Sequence, residues 1–324
     1  MKVWRMGGLA LTGLWVLSWF IPPWQWGLPF LAAVVWTYAG GLVFLIGVLG
    51  DGRYRGLWSA GFLTWIGSLQ LVWQLLPPIQ KPPGTIRIAS FNMDAAHYKR
   101  AQMEQLAESL RNWHPHVLCL QEVYLGDYTP AAFAQRIGYK YYALLDAKMH
   151  MGMLILSDYA IEKSIPHKLL PGTTNGLHEV LLKLPSGKYA RILNIHFPSY
   201  RLWREESWQW KWLNRVWGYQ GQFHLKLRQV LSKREDITWV CGDFNILPFH
   251  PTYFKLNQLL YDSHRAAEWG TGPTWLHLLR IDYIWSSLPA RSHKIRWLPG
   301  QDHAYVEASY RLSGDSITFA QAGR

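Results

Sequence analysis

The strongest constraint on this chain is a pattern repeated through its last three-quarters: a short apolar run that ends on an acid or an amide. Ile86–Ser90 leads into Asn92, Val117–Leu120 into Glu122, and Ile237–Cys241 into Asp243. Such runs read as buried β-strands. Polar residues at strand ends gather on one rim of a sheet, where side chains from distant parts of a chain can meet. The rim expected here carries Phe91-Asn92, Gln121-Glu122, Gly242-Asp243-Phe244-Asn245, Arg280-Ile281-Asp282-Tyr283 and Asp302-His303.

Between these words the pattern alternates strand and helix. Met103, Leu106, Ala107, Leu110 and Trp113 recur at helical spacing and are followed by Pro115, which predicts an amphipathic helix packed on a sheet. Further strands are expected at 152–157, 179–184 and 189–195, the last two joined by a turn at Pro185–Lys188. A long helix is expected over 203–233 and another near 252–260. Strands follow at 281–285, 292–298 and 306–310, then a tail from 313 to 324. A mixture of hairpins and strand–helix units predicts an α/β fold of two stacked sheets with helices outside.

The first 80 residues differ in kind. No charge lies between Arg5 and Asp51, and none between Gly56 and Gln80. The runs 28–50 and 56–77 are long enough to cross a hydrocarbon core of about 30 Å as helices, and 6–22 is a shorter candidate. Lys2 and Arg5 before that first run would also suit a signal peptide, but Pro22-Pro23-Trp24 follows where a small-residue cleavage site is needed. Three retained transmembrane helices are therefore expected. Lys2, Arg5, Arg53 and Arg55 place the N-terminus and the second loop in the cytoplasm, so the domain from 86 to 312 would be extracytoplasmic. Prolines at 77, 78, 82 and 83 make a stiff tether, with the linker proper at 81–85. Of the +12 formal charge, residues 1–80 hold +3, which leaves +9 for the remainder and favours an anionic partner. Cys119 and Cys241 lie in predicted strands, with no spacing that suits zinc; they read as buried thiols, with a disulfide left open.

The rim residues suit phosphoester chemistry, which needs a cation on the phosphoryl oxygens, an activated water and help for the leaving oxygen. Glu122 is a hard carboxylate at a strand end and the best ligand for Mg²⁺. Asn92 can add a neutral oxygen or orient that carboxylate, and Asp302 is counted with the metal ligands. Asp243 and Asn245 sit one residue apart on one loop, as acceptor and donor. A His–Asp pair lets a carboxylate fix an imidazole tautomer, and His303 needs such a partner. His196 is a second imidazole at a strand end.

Taken in order, SFNM (90–93), CLQEV (119–123), MGMLILS (151–157), NIHF (194–197), CGDFN (241–245), TWLHLLRIDYIW (274–285) and QDHAYV (301–306) make the chain resemble the endonuclease/exonuclease/phosphatase superfamily. That superfamily includes pancreatic-type deoxyribonucleases, abasic-site endonucleases, neutral sphingomyelinases and inositol-phosphate phosphatases. The resemblance spans 86–310. It implies a four-layer α/β sandwich and Mg²⁺-dependent phosphoester hydrolysis, with Mn²⁺ as a substitute. It makes Glu122 the metal ligand beside Asn92, and His196 and Asn245 stabilisers of the phosphoryl group. Asp243 would position or activate the water, and Asp282 would support His303. The proton acceptor is left open between Asp243 and His303. Gln301 stands where a serine commonly precedes the final Asp-His in the family pattern.

The membrane segment lies outside the family pattern. Trp203, Trp208, Trp210, Trp212 and Trp217, with Arg204, Lys211 and Arg215 among them, have the composition of a membrane-interface element, although two aromatic faces could equally pack on a sheet and a loop. The reading favoured is a membrane-anchored phosphodiesterase that meets the lipid bilayer and acts on a phospholipid headgroup or similar surface phosphodiester. A tethered nuclease acting on extracellular DNA is the alternative, and a non-catalytic binding module on the same fold comes third.

Overall fold

The protein, seen in a computed structural model, is described for residues 59, 85–94, 100–125, 128–146, 151–167, 175–199, 210–232, 237–248, 250–268 and 270–312. Among these, no helix is long and apolar enough to cross a membrane. The three expected membrane segments, apart from Ser59, the tail from 313, and Trp203 and Trp208 lie outside the described residues, as do the side chains of Trp210, Trp212 and Trp217.

Twelve strands and five helices are described. In chain order they are β1 (Ile86–Asn92), α1 (Arg100–Trp113), β2 (Val117–Tyr124), α2 (Pro130–Ile137), β3 (Tyr141–Asp146), β4 (Met151–Ser157), β5 (Ala160–His167), β6 (Gly176–Lys183), β7 (Tyr189–His196), α3 (Trp210–Leu231), β8 (Thr238–Asp243), α4 (Pro251–Asn257), β9 (Tyr261–Asp262), α5 (Ser263–Ala267), β10 (Asp282–Ser286), β11 (Ser292–Arg296) and β12 (Tyr305–Tyr310). The expected helix at 103–113 and the strands ending on Asn92 and Asp243 are present, whereas β2 runs past Glu122 to Tyr124 after a register shift. Helix α4 ends at Asn257, earlier than expected. Five elements had no clear sequence signal: α2, α5, the edge strands β3 and β5, and the two-residue β9.

The strands form two six-stranded sheets with the orders β11-β12-β1-β2-β4-β3 and β5-β6-β7-β8-β10-β9. Each sheet holds one parallel pair at its centre, β1 with β2 and β7 with β8, and every other pairing is antiparallel. Period-two alternation explains the layers. Ile88, Cys119 and Ile155 of the first sheet face Ile192, Trp239 and Cys241 of the second. The alternate residues Ala89, Leu118 and Leu156 pack outward with α1 and α2, through Leu106, Leu110 and Phe133. Leu193, Val240 and Trp285 likewise meet Phe223 and Leu227 of α3 and Tyr253 of α4. The result is the four-layer α/β sandwich. Cys119 and Cys241 are both free, buried thiols of the inter-sheet core.

Topology also explains the rim. Strands β1, β2, β7 and β8 end at it. Strands β10 and β12 run antiparallel to β8 and β1, so they begin at it, which brings Asp282 and His303 from the far side of their strands. Gly242 is required where β8 passes β7: its φ is +146°, and a Cβ there would lie 1.9 Å from the Ile195 carbonyl oxygen.

Candidate active site

Seven of the eight expected residues converge. Asp243 is the hub. Its Oδ2 accepts from Asn92 Nδ2 at 3.0 Å and Asn245 Nδ2 at 3.0 Å, and lies 3.8 Å from His196 Nε2 and 3.9 Å from His303 Nε2. Its Oδ1 accepts the Asn245 backbone N–H at 2.8 Å. Glu122 joins through His196 Nε2 at 3.3 Å and Asn92 Nδ2 at 3.4 Å. His303 Nδ1 lies 3.0 Å from Asp282 Oδ2, as the imidazole-orienting role requires. Asp243, Asp282 and His303 each offer a ligand atom within 4.8 Å of the others.

Backbone geometry aims these groups. Glu122 has φ +48° and sits where the β2–β4 register shifts between Leu120 and Val123. This bulge turns the carboxylate out of the pleat at a conformation costly for a non-glycine residue, the kind of strain that functional sites retain. Asn245, at φ +49°, folds its amide back over Asp243. Thr274 Oγ1 accepts both the Ile281 and Asp282 backbone N–H groups, at 3.1 and 3.0 Å, and so anchors the start of β10.

Several expectations sharpen. Asn92 orients the carboxylates: its Nδ2 serves Glu122 and Asp243 while its Oδ1 accepts the Asp94 N–H at 3.0 Å. Asn245 Nδ2 donates to Phe197 O at 2.9 Å and to Asp243, so in this rotamer its amide positions Asp243 and has no hydrogen left for a phosphoryl oxygen. Asp302 stands apart from the hub, its Oδ2 accepting from Trp275 Nε1 at 3.3 Å. Its buried Oδ1, and Oε1 of the neighbouring Gln301, find no hydrogen-bond partner among the described residues.

A second set carries no sequence signal beyond its place inside the quoted words. Gln121 Nε2 donates to Asn194 Oδ1 at 2.7 Å and to Ser90 Oγ at 3.1 Å, and Asn194 Nδ2 donates to Leu120 O at 2.9 Å. All three side chains are fully buried, and they tie β7 of one sheet to β1 and β2 of the other directly beneath the rim. A buried amide pair is stable only when satisfied, so it fixes the register of the two sheets.

Electrostatically the rim is short of positive charge. Burial pushes the Asp243 carboxyl up and the nearby Asp282 adds to it, against His303, His196 and the Asn245 N–H. Burial opposes charge on His303, but Asp282, by charge and hydrogen bond, then Asp243 and Asp302, raise its pKa to about 10. Three carboxylates share two imidazoles, all oxygen donors are hard, and Asp302 Oδ1 is unpartnered. That donor set suits a hard divalent cation.

Comparison with known proteins agrees. The model of the Endonuclease/Exonuclease/phosphatase family matches residues 89–303. No curated protein sequence matches the chain. Among solved structures, an endonuclease/exonuclease/phosphatase from Beutenbergia cavernae is similar with a TM-score of 0.56 and 19% identity, over 71% of this chain and 72% of that one. The 3′ phosphatase NExo from Neisseria bound to product DNA hairpin gives 0.54 and 17%, over 70% and 99%. The human Nocturnin catalytic domain with bound sulfate anion gives 0.52 and 18%, over 70% and 94%. These likenesses concern the fold.

Proposed function

The chain belongs to the endonuclease/exonuclease/phosphatase family and is a metal-dependent phosphoric ester hydrolase; from that premise we propose that it is a membrane-anchored, Mg²⁺-dependent phosphodiesterase acting on a phospholipid headgroup or similar surface phosphodiester. The observation that carries the chemistry is the surplus of buried carboxylate around Asp243, Asp282 and His303 beside Glu122. The anchored lipid reading is supported by the two uncharged runs 28–50 and 56–77, with Lys2, Arg5, Arg53 and Arg55 on the cytoplasmic side.

Glu122 would hold the cation, with Asp302 in reserve through its unpartnered oxygen. A bound divalent ion neutralises charge on the phosphoryl oxygens. Asn92 keeps Glu122 and Asp243 aimed at one point, and Asn245 locks the Asp243 rotamer. His303, kept protonated by Asp282, presents its Nε2 proton to a phosphoryl or leaving oxygen. His196 Nε2, 3.3 Å from Glu122, does the same from the other sheet. Asp243, the carboxylate pushed up, takes the proton of the attacking water.

A nuclease is the second reading, supported by the +9 charge beyond residue 80 and by the DNA hairpin named for the Neisseria protein of similar fold. The test sets the full-length chain, reconstituted with Mg²⁺, against phospholipid and sphingomyelin vesicles and against DNA. Headgroup release supports the first reading, and DNA cleavage without headgroup release replaces it with the second. An alkaline phosphatase fusion after Pro83 should be active outside the cytoplasm. An inactive fusion there would reverse the topology.

A further inference from the structure

Next to the catalytic rim the chain makes a tight turn whose composition is at odds with its geometry. Leu278 N–H donates to Trp275 O at 3.0 Å, and Trp275 N–H to Leu279 O at 2.8 Å, closing a hairpin. The two central residues, Leu276 and His277, have φ of +47° and +58°. Turns that need positive φ at both central positions favour Asn-Gly, because other side chains are strained there. Here the strained positions carry a leucine and a histidine. The side chains are not tucked in: Leu276 is 48% exposed and Leu278 75%, the most exposed large apolar side chain among the described residues. His277 stacks on Trp297 with ring centroids 3.6 Å apart, which braces the tip from the side.

The tip is bolted to the site. Leu276 N–H donates to Asp302 O at 2.8 Å, Ala304 N–H to Thr274 O at 2.7 Å, and Trp275 pairs with His303 in an isolated bridge. Whatever Leu276 and Leu278 touch is therefore held at a fixed offset from His303. The chemistry selects the occupant. The two exposed side chains at the apex are aliphatic and carry no permanent positive charge for a phosphate backbone, and the one ring of the turn, His277, already has a face taken by Trp297, so the tip is poor in the stacking surface and charge that single-stranded nucleic-acid sites combine. Aliphatic groups on a rigid tip suit hydrocarbon.

We propose that the Leu276–Leu278 tip is a lipid-contact element that enters the apolar edge of the bilayer and sets the catalytic rim at headgroup depth; this rests on the lipid reading of the same site. The tether permits it. The domain is joined at Ile86, the end of β1 opposite the rim, and β1 separates the two ends by roughly 20 Å at about 3.3 Å per residue. The proline-rich stretch 78–85 can reach about 25 Å at about 3.1 Å per residue, so the rim can return to the bilayer from which the tether leaves.

The test places an environment-sensitive fluorophore on Leu278→Cys of the full-length protein, since Cys119 and Cys241 are buried. In vesicles containing lipid brominated along the acyl chains, the probe should shift to the blue and be quenched. A probe as exposed as in detergent-free buffer, with no quenching, overturns the proposal. A companion variant, Leu278→Asp, should lower turnover of bilayer phospholipid roughly tenfold, the loss expected from one leucine's apolar burial, while a soluble diester is cleaved within about twofold of wild type. Equal loss on both substrates also overturns it. The two readings fail separately. A quenched tip on a chain that cleaves only DNA leaves the membrane contact standing and removes the lipid substrate. Phospholipid cleavage with an unquenched tip does the reverse.

Discussion

Two buried aspartates on the strands that flank β10, Asp262 on β9 and Asp243 on β8, carry the same group at the same depth in opposite surroundings. Asp262 is closed. Arg280 Nη2 reaches its Oδ2 at 2.7 Å, Tyr253 donates its hydroxyl to the same oxygen, and the His264 N–H caps Oδ1 at 3.0 Å. Burial works against its charge, yet Arg280, then His264 and Tyr253, hold its pKa below the ordinary carboxylate range. The guanidinium in turn lies over Tyr253 and Tyr283, 5.7 and 5.0 Å from the ring centroids. Asp243 is left open. Amides rather than a guanidinium hold its oxygens, and burial, then the charge of Asp282, push its pKa up. Arg280 and Asp282 are two residues apart, but the guanidinium is committed to Asp262, so β10 contributes only its carboxylate to the rim. A structural ion pair satisfies itself, whereas a catalytic cluster keeps a deficit that a cation or substrate must fill.

Substitutions should separate the two. Asp243→Asn is expected to lower phosphodiester hydrolysis by roughly ten-thousandfold, about 5.5 kcal/mol of transition-state stabilisation, while metal-free thermal stability stays level or rises because a repelling charge is gone. Steady-state kinetics beside a melting curve decides it, and a matching loss of stability would make the rim a structural cluster. Asp262→Ala should do the opposite. Stranding the buried guanidinium should cost about 3–5 kcal/mol of stability, with activity per folded molecule near wild type. Denaturant unfolding measures the first and active-site-normalised turnover the second.

Metal should act on one cluster only. Mg²⁺ at about a hundred times its dissociation constant should stabilise the fold by about 2.7 kcal/mol, and this gain should vanish in Glu122→Ala but persist in His293→Asn. A gain unchanged by Glu122→Ala would place the ion elsewhere.

The smallest difference is one of pH, read in metal-free protein. His293, against the Asp262 cluster, is lowered to about 4, first by burial and then by Arg280, against Asp262. His303 is raised to about 10. A neutral buried histidine loses stability as pH falls through its unfolded value near 6.5 toward its folded one. A histidine raised above that value contributes fully below it and loses the contribution as pH rises toward about 10. Between pH 7 and pH 6, His293 should therefore cost about 0.7 kcal/mol and His303 add about 0.7 kcal/mol. The slopes of stability against pH in His293→Asn and His303→Asn should depart from wild type in opposite directions, and departures of the same sign would break the contrast.

Much of the open cluster was readable in the sequence, because an acid or amide at the end of an apolar run declares both strand and rim. Asn92, Glu122, His196 and Asp243 were placed that way, and Asp282 and His303 by the words around them. The closed cluster was not legible. Asp262 ends a two-residue strand, and its partner Arg280 sits inside a word read for Asp282; nothing in linear spacing pairs residues eighteen apart, one at the end of β9 and one just before β10. The Gln121–Asn194 tie was missed for the same reason, since contacts between sheets leave no periodicity. The bulge at Glu122 is likewise invisible, because a positive φ on a glutamate has no residue-type signature. Edge strands β3 and β5 lack the apolar alternation of buried strands: β5 is exposed along much of its length.

The open rim is expected to work through a hard cation. The decisive measurement is turnover of bis-p-nitrophenyl phosphate, a soluble diester that needs no membrane, by the full-length protein in detergent. With Mg²⁺ present the diester should be cleaved, EDTA should abolish cleavage, and Mg²⁺ or Mn²⁺ in excess should restore it. Undiminished turnover in EDTA would contradict a metal-dependent rim and leave the carboxylate surplus around Asp243 without its explanation.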